Sequence, residues 1–458
     1  MAAPMKHVEA MLRSFRLCKT KRLLTCSRPR IKMARQYSKR NVLELHERGL
    51  FQDIFPDANR KALVDTLNSG SQCIYCGFDP TADSLHIGNL LALIALIHCS
   101  RSGHSPIVVL GGATAQIGDP SGKTHERDAM TIDTIDTNVM RIHSTIERIF
   151  TNHQQHLYHS EKELPSVRIM DNRNWYKTIN LVDFLASTGR NFRMGQMLGK
   201  QSVETRLQSP DGMSFTEFTY QVFQAYDWLH LYREHNCLLQ IGGNDQMGNM
   251  KAGYDLISRI TNNTVYGLTV PLVLTTSGDK LGKTAGNAVW LDPDRTSAFE
   301  FYQYFLRLPD SEIEKYLMLF TFLPTNEVQD VLRKHWEKPE GRHGQKTIAR
   351  EVTKLVHGDT GLWSALPLVG AFVSVRRPLV TLSLDPGVTV LDLAMKARCF
   401  SREVDAKRII GAGGFYINYQ RVTSPEYVLI QGQHILPNNT TLVRVGKKNY
   451  YVVRWVNM

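Results

Sequence analysis

The 458-residue chain is 42 % hydrophobic with ordinary Gly (32) and Pro (18) counts, which fits a globular protein of two or three domains and excludes a disordered or fibrous one. Its longest uninterrupted apolar candidate, Leu90 to Ile97, is far too short for a membrane span, so a soluble chain with no membrane partner is expected. The formal net charge of +12 sits at the ends: residues 1–40 carry 12 Lys/Arg and one acid, residues 388–458 carry 10 and four, and the stretch between nets −5, which excludes a uniformly basic protein.

Residues 1–37 are rich in Arg and Lys, nearly free of acids, and lack the apolar core of a secretory signal. That is the composition of a mitochondrial transit peptide, and Arg35-Gln36-Tyr37-Ser38 resembles a matrix-peptidase site. A basic arm that touches RNA is the alternative, and acid depletion favours the import segment. The expected destination is the mitochondrial matrix. Seven irregularly spaced cysteines do not make a disulfide framework. Cys73 and Cys76 form a C-x-x-C within an apolar strand, where residues three apart face opposite sides, so reduced core thiols and no metal are expected.

From Ala62 to Gly112 the pattern is that of a nucleotide-binding βαβ unit. A strand over Cys73–Phe78 leads through a polar turn into an apolar helix from Ile87, stopped near Ser102-Gly103, and a second strand covers Pro106–Leu110. Continuous apolar strands joined by helices predict a parallel sheet covered on both faces. Residues 130–235 read as amphipathic helices and short turns, ending in the aromatic-rich stretch Phe215–Tyr232. A buried strand, Cys237–Ile241, runs into Gly242-Gly243-Asn244-Asp245-Gln246. Helices follow over Phe299–Leu308, Glu312–Phe320 and Thr347–His357. Residues 358–387, with Pro367, Pro378 and Pro386, read as an irregular bridge, and the last 70 residues as short helices followed by β-hairpins.

Three strings carry chemistry. In His86-Ile87-Gly88-Asn89 the start of a helix offers unpaired N–H groups to a phosphate, Gly88 lets a nucleotide approach the backbone, and His86 can donate to a phosphate oxygen. A histidine near a helix start is by itself more often a surface residue. Lys280-Leu281-Gly282-Lys283-Thr284 can clamp a triphosphate, although a lone K-x-x-K reads as a solvated basic turn. Gly118-Asp119-Pro120-Ser121-Gly122-Lys123, followed by Arg127, lacks the spacing of a Walker loop and argues against that type of ATPase.

In this order the strings resemble the HIGH and KMSKS signatures of the class I aminoacyl-tRNA synthetases. The run from Tyr75-Cys76-Gly77-Phe78-Asp79-Pro80 to His86-Ile87-Gly88, with Phe215-Thr216-Glu217-Phe218, Gln224-Ala225-Tyr226-Asp227 and Glu351 to Gly358, narrows the likeness to the tyrosyl-tRNA synthetases over about residues 41–458. The resemblance implies an α/β fold: a Rossmann-type catalytic domain with a helical insert over 41–290, a helical anticodon-region domain over 291–360, a linker over 361–387 and a small α+β RNA-binding domain over 388–458. It implies ATP as substrate with Mg2+ carried on it, L-tyrosine and tRNA(Tyr) as partners, and a homodimer meeting through the insert around Phe192–Gln208.

The resemblance also implies roles. Tyr75 and Asp227 match the pair that reads the substrate phenol. Asp119, Tyr220, Gln224 and Gln240 match the holders of the α-amino group. Gly77, Asp79, Gly88, Gly243 and Asp245 match the nucleotide-lining positions, and Gln246 one near the α-phosphate. His86, Asn89, Lys123, Arg127, Lys280, Lys283 and Thr284 match the phosphate-handling set. Asn172 and Trp175 fall in a supporting stretch. The family's second HIGH histidine is Asn89 here, whose amide can donate the same kind of hydrogen bond, and Asn244 replaces a serine. In the C-terminal domain, which resembles a ribosomal small-subunit protein, Arg402, Lys407, Arg408 and Lys447 are candidate phosphate contacts. Two rivals share this fold. A tryptophanyl relative would not need the hydroxyl-reading pair Tyr75 and Asp227, and a dead RNA-binding paralogue would have lost Asp119, Lys280 or Lys283.

Overall fold

The structure, a computed structural model, describes residues 40–123, 125–272, 283–284, 287–372, 380–383, 385–418, 420–435, 439–446 and 449–456. The expected import segment, Lys280 and Lys447 lie outside the described residues.

The first part of the chain is built on a sheet of six strands: β1 (Ile54–Phe55), β2 (Cys73–Phe78), β3 (Ser105–Leu110), β4 (Arg168–Asp171), β5 (Cys237–Gly243) and β6 (Tyr266–Val270). They lie in the order β1-β6-β5-β2-β3-β4, and every neighbouring pair is parallel except β1 with β6. Nine α-helices belong to this part among the described residues: α1 (Arg60–Ser69), α2 (Ile87–Arg101), α3 (Ile132–His156), α4 (Arg173–Tyr176), α5 (Leu181–Ser187), α6 (Met194–Leu198), α7 (Gln201–Leu207), α8 (Phe215–His235) and α9 (Met247–Thr261). From β2 the chain passes through α2 to β3, on one side of the sheet's middle. From β5 it passes through α9 to β6, on the other. The order reverses between β2 and β5, and in such sheets ligands bind outside the carboxyl ends of the strands at that reversal.

The apolar run of β2 is legible because a central strand is covered on both faces. Cys76 packs in the core cluster that contains α2, whereas Cys73 packs in the one around Trp228 on α8. The two thiols therefore face opposite sides as their spacing predicts. All five described cysteines are free, and burial pushes the Cys76 thiol up to about 12. Helix α2 is buried from Leu90 to Ser100, so an amphipathic stripe is absent from it for a physical reason. No described helix is long and apolar enough to cross a membrane.

The stretch 130–235 is not wholly helical. Arg168–Asp171 forms the edge strand β4 on β3, too short and too charged at its ends for periodicity to reveal. The segment α5–α8, which includes the expected insert around Phe192–Gln208, is tied internally by Arg206, which grips both carboxylate oxygens of buried Glu217 at 2.7 and 2.9 Å. It leaves several large apolar side chains uncovered, Leu181, Val182, Met194 and Phe215 among them.

Strands β7 (Lys283–Thr284) and β8 (Asn287–Ala288) pair antiparallel. The helical part follows as α10 (Ala298–Leu306), α11 (Ile313–Phe320), α12 (Thr325–Glu337) and α13 (His343–Phe372). The expected bridge over 358–387 is corrected here. Gly358 takes φ +70°, which a glycine adopts without strain, and the chain then resumes a helix to Phe372. Leu362 and Ala365 are buried in the main core, and that packing outweighs the one ladder hydrogen bond that Pro367 cannot donate. Residues Val380–Ser383, placed in the linker by the sequence, form β9 of the C-terminal sheet.

That sheet also contains β10 (Phe415–Ile417), β11 (Gln420–Val422), β12 (Thr440–Val445) and β13 (Asn449–Val456), in the order β11-β10-β12-β13-β9. Helices α14 (Val390–Lys396) and α15 (Glu403–Gly411) complete an α+β unit with its own core around Phe415, Val443 and Trp455.

Candidate active site

A cavity of about 510 Å³ opens where the strand order reverses, between the carboxyl ends of β2 and β5. Tyr75, Gly77 and Asp79 reach it from β2 and the turn after it, and Gln240, Gly243, Asp245 and Gln246 from β5 and the turn after it. Tyr220, Gln224 and Asp227 reach it from one face of α8, and Asp119, Lys123 and Arg127 from the loop between β3 and α3. His86, Gly88 and Asn89 line it at the start of α2. The side chains of Lys283 and Thr284 lie outside what is described, as Lys280 does.

At one end of the cavity, Asp227 is 5 % exposed and held from three sides. Trp175 Nε1 donates to its Oδ1 at 2.9 Å, Tyr176 Oη to the same oxygen at 2.8 Å, and Asn172 Nδ2 to Oδ2 at 3.2 Å. Burial nevertheless pushes the Asp227 carboxyl up to about 7, against those three donors, which favour the anion. Tyr75 on β2 and Gln240 on β5 are register partners. Both are buried, and neither Tyr75 Oη nor Gln240 Oε1 has a hydrogen-bond partner among the described residues. Buried polar atoms are rarely left so in proteins, and in a cavity wall they mark positions suited to a ligand.

Two more carboxylates follow. Asp79 accepts from Thr114 Oγ1 at 2.7 Å and from Tyr220 Oη at 2.8 Å, and burial pushes it up to about 6. Gly111 permits this, because a Cβ there would meet Asp79 Oδ1 at 1.9 Å. Asp119 accepts from the Ser121 N–H at 3.0 Å, from Gln246 Nε2 at 2.8 Å and from Asn249 Nδ2 at 3.3 Å. Gln246, matched in the sequence to the α-phosphate side, thus bonds to Asp119, the residue matched to the α-amino group.

The start of α2 at the cavity is organised by its cap. The Gly88 N–H donates to His86 Nδ1 at 3.0 Å, and the His86 N–H donates to Asn89 Oδ1 at 3.1 Å, a reciprocal capping box. A backbone N–H can be accepted only by the amide oxygen, so the bond fixes which way the Asn89 amide is turned. Its NH2 is the group left to donate outward. The helix start is also clasped by the segment before α10, through Ile87 N–H to Val289 O and Leu291 N–H to Leu85 O. Trp290 between them lines the cavity, with the Arg295 guanidinium 3.7 Å from its ring centroid.

Sequence reasoning missed Trp290, Leu272, Thr114, Tyr176 and Asn249. Nothing in their local sequence separates these residues from ordinary core, and only their place in the folded chain, lining the cavity or bonding to residues that do, singles them out. In the C-terminal unit, the candidate contacts Arg402 and Arg408 are both paired with Asp405, at 2.9 and 3.1 Å, and Lys407 with Glu403 at 2.7 Å. These exposed pairs on α15 are weak enough for a phosphate to compete with.

A family described as tRNA synthetases class I (W and Y) matches residues 68–366. The chain is 51 % identical over 443 residues to a mitochondrial tyrosine–tRNA ligase of Drosophila melanogaster, covering 92 % of this chain and 96 % of that one. To the mitochondrial tyrosine–tRNA ligase of Homo sapiens it is 46 % identical, covering 90 % and 91 %. Among solved structures, a C-terminally truncated mitochondrial tyrosyl-tRNA synthetase of Aspergillus nidulans superposes with a TM-score of 0.66 at 33 % identity, covering 73 % of this chain and 94 % of that one.

Proposed function

Since the chain belongs to the class I tRNA synthetases, on their tyrosyl side, we propose that its cavity carries out both half-reactions of a tyrosine–tRNA ligase. L-tyrosine is activated by ATP to tyrosyl-adenylate and pyrophosphate, and the tyrosyl group then passes to the terminal ribose of tRNA(Tyr). The observation that carries the tyrosine reading is Asp227, a buried carboxylate steadied by three donors at the end of the cavity where Tyr75 Oη lacks a partner among the described residues. A substrate phenol supplies what both need, donating to the carboxylate and accepting from the tyrosine hydroxyl. An indole N–H donates but cannot accept, which disfavours tryptophan.

The chemistry follows from positioning and charge. A tyrosine carboxylate oxygen attacks the α-phosphorus, the new P–O bond forms in line with the one that breaks, and pyrophosphate departs. No general base is required, because the attacking group is already an anion. Asp119 faces the cationic α-amino group, with Tyr220, Gln224 and Gln240 as neutral partners. Asp245 suits the ribose hydroxyls, while Gly77, Gly88 and Gly243 let the nucleotide approach the backbone. Asp79 completes that wall. His86 and the Asn89 amide face the phosphates, and Lys123 and Arg127, with Lys280, Lys283 and Thr284, neutralise charge that grows on the leaving pyrophosphate.

Mg2+ is proposed to arrive with ATP. Phosphate oxygens and water satisfy most of its octahedral shell, so a dedicated cage of protein ligands is not needed, and Asp79 and Asp245 are the carboxylates lining the cavity close to the nucleotide positions. The cation adds charge neutralisation at the phosphates. In the second half-reaction a ribose hydroxyl attacks the tyrosyl carbonyl, and AMP leaves.

The decisive assay is tyrosine-dependent exchange of labelled pyrophosphate into ATP. Exchange with tyrosine, and little with tryptophan or phenylalanine, is expected. A folded protein that gives no exchange, or exchanges equally with tryptophan, would overturn the reading.

The proposal extends to the protein's setting. Mitochondrial relatives and the acid-poor N-terminal segment support a mature protein in the mitochondrial matrix without residues 1–37. The uncovered apolar side chains in and around the expected insert support a homodimer. The candidate domain over 388–458, with its net charge of +6, supports a tRNA-docking role. Protein recovered from mitochondria should have the mass of two chains that begin near Ser38. An intact Met1 end would refute the import segment, and a single-chain mass would refute the dimer.

A further inference from the structure

Among the described residues, Asp227 Oδ1 accepts two hydrogen bonds, from Trp175 Nε1 and from Tyr176 Oη, while Oδ2 receives only the longer one from Asn172. The carboxylate is therefore anchored through one oxygen and presents the other. Tyr176 closes the end of α4 over α8, and its ring lies 5.3 Å from Phe223 and 5.7 Å from Tyr226. Its hydroxyl has two acceptors in reach, Asp227 Oδ1 at 2.8 Å and the Phe223 carbonyl at 2.9 Å. It has one proton. A hydroxyl beside a carboxylate and a carbonyl gives that proton to the anion, where the bond is charge-assisted and stronger.

We propose that Tyr176 is a specificity-determining positioning residue, which anchors Asp227 through Oδ1 so that Oδ2 is turned to receive the hydroxyl of the substrate phenol. The inference rests on the tyrosine reading of the site and adds a residue that does not itself touch the substrate. Its chemistry depends on Asp227 being ionised, because a protonated carboxyl could satisfy itself without a phenol and would discriminate poorly. Several groups bear on that ionisation. Asp79 after β2 opposes it through its own charge. From β2 comes the Tyr75 hydroxyl, from α8 those of Tyr220 and Tyr226, and from α4 and the residue before it Tyr176, Trp175 and Asn172. Among them Tyr176, Trp175 and Asn172 donate to the carboxylate directly. With the Asp227 carboxyl pushed up to about 7 by burial, loss of one donor moves its titration through the neutral range.

Tyr176→Phe keeps the ring and removes the proton donor. In pyrophosphate exchange at neutral pH, kcat/KM for tyrosine is expected to fall about tenfold, chiefly through KM, as for the loss of one hydrogen bond to a charged group. The value for phenylalanine should stay within about twofold, so that the discrimination ratio falls with it. The acid limb of the pH profile of kcat/KM for tyrosine should move up by about one unit, which a loss of packing alone would not produce. If Tyr176→Phe fails to fold, Tyr176→Leu serves as the second donor-free variant, with the same upward shift required. An unchanged acid limb together with an unchanged tyrosine-to-phenylalanine ratio in a folded variant would overturn the proposal. Asp227→Ala measured in parallel separates the two levels: if it keeps full discrimination, the tyrosine reading of the site fails; if it loses discrimination while Tyr176→Phe changes nothing, only the role of Tyr176 fails.

Discussion

Asp227→Ala is expected to abolish the preference for tyrosine over phenylalanine while the chain remains folded. The carboxylate supplies the acceptor for a hydroxyl that phenylalanine lacks. A site built to hydrogen-bond a substrate hydroxyl rejects the analogue without it by a factor on the order of 10⁵, a figure known for this enzyme class and not obtained from the present geometry. In the variant the acceptor is gone, Trp175 Nε1 loses its partner, and Tyr176 Oη and Asn172 Nδ2 keep only the Phe223 carbonyl and Thr114 Oγ1. Orphaned buried donors cost about 1–3 kcal/mol each, partly offset because a costly buried carboxylate is also removed. A modest fall in melting temperature is therefore expected, not unfolding. Exchange kinetics with the two amino acids, beside a thermal melt, read both quantities. A folded variant with normal preference would mean that the phenol is recognised elsewhere.

The second large effect separates adenylation from tRNA docking. Ending the chain after Phe372 should leave tyrosine-dependent pyrophosphate exchange at its full rate. Every residue assigned to that reaction lies before residue 285, and the C-terminal unit buries its own core. The cut is made there, and not at residue 388, because β9 pairs with β13 and would be left without its sheet. Charging of tRNA should fall at least about tenfold, since a basic domain that neutralises several phosphates contributes a large salt-dependent part of RNA affinity. The salt dependence of tRNA binding should become shallower for the same reason. A truncated enzyme that charged tRNA normally, with the same salt response, would contradict the docking role. One that stayed folded but lost exchange would place the boundary between the two functions elsewhere.

Much of the site could be read from the chain because its parts are local. Cys73–Phe78 declares a central strand by unbroken apolar character, and His86-Ile87-Gly88-Asn89 declares a helix start because capping is settled within four residues. The i, i+4, i+7 spacing of Tyr220, Gln224 and Asp227 puts polar side chains on one helical face, and in the structure all three line the cavity.

What the sequence by itself determined, then, is the set of elements whose physics is short-ranged: the main strands, the capped start of α2 and the polar face of α8. The tertiary structure decided the rest. Tyr176 and Asp227 stand 51 residues apart, and Gln246 and Asp119 stand 127 apart, so no local pattern reports that they share a hydrogen bond. Strands β4 and β9 are four residues each and become strands only because a neighbour offers its open edge. Pro367 reads as a breaker in isolation, yet the burial of Leu362 and Ala365 carries the helix past it. In each case a long-range contact outweighs a weaker local preference, and contacts of that kind exist only once the chain has folded.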